Sequence, residues 1–120
     1  MEDKDKKLIE AIVAGIEEKK GEGIRVLDLS EIGDTITRYT VICEGNTPIQ
    51  VRAIEDSVWD TVYKLTGEKP AAIDGLRNCL WVAMDYVDTA VHIFIPETRQ
   101  FYDIDNLWDD AKEYAVPATD

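Results

Sequence analysis

An α/β fold, a small mixed β-sheet flanked by helices, is predicted from three features of the sequence. Residues 3–20 and 48–66 carry apolar side chains at helical spacing. Two pairs of runs rich in β-branched residues, 24–29 with 36–43 and 80–86 with 89–95, read as strands. The order helix, two strands, helix, two strands, helical tail builds one sheet with helices laid on it. A chain of 120 residues has room for one domain, 1–120, and 45% hydrophobic residues supply its core.

In the first helix, Leu8, Ile9, Ile12, Val13 and Ile16 form the apolar stripe, and Gly21 is the stop. The run 24–29 alternates imperfectly, and residues 30–34 make the following turn. The strand at 36–43 breaks at Glu44-Gly45-Asn46. Thr47 with Gln50 three residues on is a capping box, and Pro48 takes the first helical position, where a missing N–H costs nothing. Val51, Ile54, Val58, Val62 and Leu65 give the buried stripe of this second helix, with Arg52, Glu55, Asp56, Asp60 and Lys64 facing water until Gly67. After a loop containing Pro70 and Gly75, the runs 80–86 and 89–95 form a hairpin turning at Val87-Asp88, and Pro96 stops its second strand. The tail carries a helix from Asp105 or Asn106 with Leu107, Trp108 and Ala111.

Thirteen basic against 25 acidic residues leave a net charge of −12. The basic residues form no stripe, so direct nucleic-acid binding is disfavoured and a cationic protein surface is the expected partner. From residue 103 to the end, six carboxylates face Lys112 alone. Cys43 and Cys79 sit in apolar runs and read as buried thiols rather than a disulfide or a metal pair. The N-terminus lacks an apolar signal segment, and the apolar runs fall far below the ~18 residues of a membrane span. A soluble cytoplasmic protein without a cofactor is expected.

Few residues form a chemical constellation. His92 shares a strand face with Ala90 and Phe94, while Val91, Ile93 and Ile95 point the other way. It reads either as a packed, hydrogen-bonded histidine or as a functional base. Asp85, Asp88, Asp103 and Asp105 could gather around a hard cation, although Asp103 and Asp105 also suit a helix start. Trp81, Tyr86, Phe94, Phe101, Tyr102 and Trp108 crowd the last forty residues among acids and Arg99. That mixture suits a protein interface, with core packing the favoured role for Phe94 and Trp108.

Several ordered blocks resemble the ribosomal silencing factor, or Iojap-like, family. They are Val26-Leu27-Asp28-Leu29, Tyr39 through Asn46 running into Gln50-Val51-Arg52-Ala53-Ile54, Trp81 through Asp88, and Val91-His92-Ile93-Phe94. Pro96 through Arg99, Phe101-Tyr102-Asp103 and Leu107-Trp108 complete the set. The resemblance implies a nucleotidyltransferase-like sheet without the catalytic site and no enzymatic activity. It further implies binding to the large ribosomal subunit through the basic ribosomal protein uL14. Such binding would block joining of the small subunit and repress translation in starved or stationary cells. Carried over residue by residue, the partner-binding candidates are Trp81 as anchor, Asp85, Tyr86 and Asp88 as contacts or hairpin organisers, His92, Arg99 and Tyr102.

The family usually has Asp where this chain has Arg38, an aromatic residue at Thr40, Gly at Val87 and His at Ile95. Valine resists positive φ, so the geometry of the turn at Val87 stays open. Two alternatives accompany the leading expectation: a large-subunit assembly factor, and a metal-dependent nucleotidyltransferase using Asp85, Asp88, Asp103 or Asp105. A weak homodimer off the ribosome is a further expectation, through an apolar patch freed of its partner.

Overall fold

The computed structural model describes residues 1–32 and 37–117. In chain order its elements are α1 (Asp3–Glu18), β1 (Glu22–Asp28), β2 (Tyr39–Glu44), α2 (Pro48–Thr66) and β3 (Ala72–Asp74). They continue with β4 (Trp81–Asp85), β5 (Thr89–Phe94), α3 (Pro96–Phe101), α4 (Ile104–Leu107) and β6 (Lys112–Tyr114). The strands form one sheet in the order β3-β4-β5-β2-β1-β6. β2 and β5 run parallel and the other neighbouring pairs antiparallel, so the sheet is mixed, as predicted.

The main core lies between one sheet face and the helix pair α1 and α2. Leu8, Ile12 and Ile16 meet Ile54 and Val58 over Val41, Val82, Met84, Val91 and Ile93. Gly15 lets the helices approach closely, because a Cβ there would stand 2.8 Å from the Cα of Val58. The Ser57 hydroxyl donates to the Gly15 carbonyl at 2.7 Å across the same crossing. Cys43 and Cys79 are both buried free thiols, and burial pushes the Cys43 thiol far above its usual range.

The predicted capping box is present in altered form. The amide of Gln50 donates to Thr47 Oγ1 at 3.1 Å, but the Gln50 side-chain oxygen accepts from Asn46 N, one residue before the cap. The Gln50 amide nitrogen then reaches the carbonyls of Lys19 and Lys20. The start of α2 thereby satisfies the end of α1. That end is a Schellman turn, with Gly21 N bonding Ile16 O and Lys20 N bonding Glu17 O. Lys20 takes the left-handed position (φ 60°), while Gly21 is needed because a Cβ would meet Ile16 Cγ2.

Several expectations are corrected. Leu65 keeps the angle of the apolar stripe but falls in the last turn of α2, where it lines an open groove beside Lys4 and Lys7 and is 68% exposed. Glu55 lies four residues from Val51 and three from Val58, so the helix turns it inward and it is 3% exposed. The short exposed strands β3 and β6 fall where a loop and a helical tail were expected. The tail helix shrinks to the single turn α4, leaving Trp108 as its C-cap and Ala111 beyond it. Pro96 ends β5 as predicted and also opens α3 at its first position. Ile36, the expected start of the second strand, lies outside the described residues.

Burial, with the neighbouring Asp56 charge, pushes the Glu55 carboxyl up to about 7, while Arg52 opposes the rise. A carboxyl raised on folding contributes most below its unfolded pKa near 4.5 and loses that contribution as pH rises through 7. Glu55 is therefore expected to lower the urea midpoint progressively between about pH 5 and about pH 8. Glu55→Gln should remove that fall, and an unchanged pH profile in the variant would rule Glu55 out as its source.

Candidate functional site

Strand alternation divides the residues of the sheet between two environments. On β4 and β5, Val82, Met84, Val91 and Ile93 enter the core under the helices. Trp81, Ala83 and Asp85 face the other way, opposite Phe94, His92 and Ala90 in register. On that second face Leu27, Leu29, Ile42, Phe94 and Ile104 form a small cluster, with Trp108 and Ala111 packed against it. This cover leaves Trp81 and Asp85 on the β4 side exposed.

Trp81 is the centre of an aromatic surface. Its ring lies 5.0 Å from Phe94, 5.4 Å from Tyr102 and 6.0 Å from His92. Phe101 stands edge-on to Tyr102 at 5.0 Å, and Trp108 closes the far side of His92 at 6.1 Å. Trp81 is 36% exposed, Tyr102 55% and Phe101 80%. With Leu80, Asn78, Glu97 and Thr98 they line a shallow groove. Trp108 is half-buried and Phe94 fully buried, matching the core role favoured for both.

The indole N–H of Trp81 donates to His92 Nδ1 at 3.1 Å. A histidine accepting at Nδ1 carries its proton on Nε2 and is neutral. Burial favours the same state, pushing the pKa down to about 4. His92 is thus the packed, hydrogen-bonded histidine of the two readings. With its pKa lowered on folding, its contribution is complete above about 6.5 and is lost as pH falls towards 4. The ¹⁵N spectrum of the imidazole is expected to show the Nε2–H tautomer at neutral pH. His92→Phe should lessen the loss of stability between those two values, and a Nδ1–H signal would refute the assignment.

The hairpin tip is held by Asp85, whose Oδ1 accepts from Val87 N at 2.7 Å. Asp88 N bonds Tyr86 O at 3.1 Å around Val87, making a γ-turn with Val87 at φ 75°. The turn left open by the sequence is therefore a strained one that valine occupies against its preference. Asp88 is exposed, and its carbonyl accepts from Arg38 N and Tyr39 N.

Two candidates are turned inward. Tyr86 packs in the main core at 5% exposure, its hydroxyl buried without a hydrogen-bond partner among the described residues and its pKa raised by that burial. Arg99 is 7% exposed and bonded on every side of its guanidinium, to Asp105, Glu44 and the Gly23 carbonyl. Trp81, His92 and Tyr102 come together; Asp85 and Asp88 stand at the hairpin end of the same two strands. Phe101, one of the aromatic residues whose mixture with acids suited an interface, joins the surface, and so does Leu80, which the sequence reading passed over although it adjoins Trp81.

Asp103 takes the N-cap position of α4, yet its carboxylate accepts from the Asn106 side chain instead of capping the backbone. Asp105 is occupied by Arg99 and Arg25. Among the described residues, no three His, Cys, Asp or Glu side chains stand where they could hold a metal ion. No described helix is long and apolar enough to cross a membrane.

A mixed six-stranded sheet flanked by helices is a fold shared with solved structures of similar proteins. The family model described as ribosomal silencing factor during starvation matches residues 2–120, and the chain belongs to that family. Ribosomal silencing factor RsfS of Bacillus subtilis is 31% identical over 106 residues, 88% of each chain. That of Chromobacterium violaceum is 32% identical over 107 residues, 88% of this chain and 86% of the relative. The chloroplastic protein Iojap of Arabidopsis thaliana is 26% identical over 84 residues, 70% of this chain and 34% of the relative. A Bacillus halodurans crystal structure superposes with a TM-score of 0.78 at 26% identity, covering 92% of this chain and 99% of that one. The Chromobacterium violaceum protein CV0518 gives a TM-score of 0.76 at 29% identity, covering 99% and 95%.

Proposed function

We propose that this protein is a non-enzymatic translational repressor acting in the cytoplasm, the whole chain working as one unit. It binds the large ribosomal subunit through the basic protein uL14 and blocks joining of the small subunit. The observation that carries this reading is the family match over residues 2–120. Charge supports it, because a chain of net charge −12 is repelled by ribosomal RNA and attracted to a basic ribosomal protein. Trp81 and Tyr102 supply the desolvated centre of the contact, with Asp85 and Asp88 at a polar rim. His92 lies beneath Trp81 and holds it.

The test is sedimentation of the purified protein with large subunits, followed by titration into a mixture of both subunits. Cosedimentation and a falling fraction of joined ribosomes are the expected results. Cosedimentation without any loss of joining would favour an assembly role over repression. Absence of binding to large subunits and to isolated uL14 would overturn the proposal.

A further inference from the structure

We infer that Arg99 and Asp105 form a clamp that positions the aromatic surface, so that Arg99 acts on partner binding through Tyr102 and Trp81 without touching the partner. The inference rests on the proposed function for what the surface binds. Its basis is how α3 is attached. A short amphipathic helix is ordinarily held by an apolar stripe, but the buried residue of α3 is Arg99 itself. Phe101, at the end of the same helix, points into solvent.

The attachment is made by one planar group. Arg99 Nε donates to Asp105 Oδ2 at 2.8 Å and Nη2 to Asp105 Oδ1 at 2.7 Å. Nη1 donates to Glu44 Oε1 at 3.0 Å and to the Gly23 carbonyl at 2.9 Å. The fork therefore ties α3 to α4, to the end of β2 and to the start of β1. Arg25 extends the network, bonding Asp105 Oδ1 at 2.9 Å and Glu113 of β6 at 2.7 Å. Hydrogen bonds from Arg99, and then from Arg25, hold the Asp105 carboxyl down at about 2, so the clamp stays charged at neutral pH. Gly23 sits at φ 61°, and a Cβ there would stand 2.7 Å from Arg99 Nη1 and so push against the clamp.

A buried ion pair often contributes no more stability than a well-packed apolar pair. What a bidentate fork adds is fixed orientation. Tyr102 is the C-cap of α3, its amide bonded to Thr98 O at 3.1 Å, so any rotation of the helix is delivered to the Tyr102 ring, which packs tilted against Trp81 at 5.4 Å. Preorganising a contact surface raises affinity without adding a contact.

Arg99→Lys keeps the charge and loses the fork; Asp105→Asn keeps the shape and loses the charge. Each is compared with the unaltered protein by three readouts: the urea midpoint, the indole N–H resonance of Trp81 (assigned with Trp81→Phe), and affinity for purified large subunits. Both variants are expected to move the indole resonance and weaken binding about tenfold. Val62→Ala, which opens the distant helix-side core, should lower the urea midpoint and leave resonance and affinity unchanged. Folded variants with an unmoved resonance overturn the clamp, as do variants with wild-type affinity. Lost affinity with an unmoved resonance would mean that Arg99 contacts the partner directly. If neither variant folds, Glu44→Gln, which removes a single tie, carries the same readouts. Failure of the unaltered protein to bind large subunits sinks the proposed function and the binding role of the clamp together. Failure of the clamp alone leaves that binding intact.

Discussion

Trp81→Ala is expected to weaken binding to the large subunit about thirtyfold, equivalent to roughly 2 kcal/mol, the lower bound for an aromatic hot spot. The side chain sits at the junction of the exposed aromatic rings and the sheet, touching Phe94, Tyr102 and His92. Removing it deletes the contact area and also unseats Tyr102, whose ring rests beside it. The protein should still fold, because Trp81 is partly exposed and its neighbours Val82 and Met84 anchor β4 in the main core. Trp81→Phe should lose less, keeping a ring but leaving His92 Nδ1 without its donor. Equilibrium sedimentation with large subunits measures both. A folded Trp81→Ala protein with wild-type affinity would remove this surface from the binding site.

Gly75→Ala is expected to cost about 3 kcal/mol of stability, combining the strain of a left-handed residue with overpacking. Gly75 lies at φ 95°, and a Cβ there would collide with the Trp81 carbonyl oxygen. Because the obstacle is backbone, no rotamer change relieves it. The loop would have to move away from the start of β4, dragging the bond from Cys79 N to Gly75 O with it. Urea denaturation measures the loss, and a midpoint equal to that of the unaltered protein would show that the loop yields freely. Binding should fall as well, since the same displacement shifts Trp81.

What could be read from the sequence followed from range. The start of α2 was legible because Thr47, Pro48 and Gln50 decide it within four residues. The two-faced character of β5 was legible because alternation alone separates His92 and Phe94 from Val91 and Ile93. β3 and β6 were not, since each is three residues long with little buried side chain to create a pattern. Glu55 was misplaced because its charge was weighed above its helical angle. Arg99 looked like a surface contact because Glu44 and Gly23 lie 55 and 76 residues away in the chain. The bond from Trp81 to His92 likewise needs the register of β4 on β5, which no local pattern supplies.

The unequal cover of the sheet bears on how such a domain diversifies. The helix side carries the larger buried cluster and the open side the smaller one, so the proposed contact surface lies one β-sheet's thickness away from most of the core. Substitutions at its exposed residues, Trp81, Phe101 and Tyr102, are expected to cost less stability than substitutions in the helix-side core.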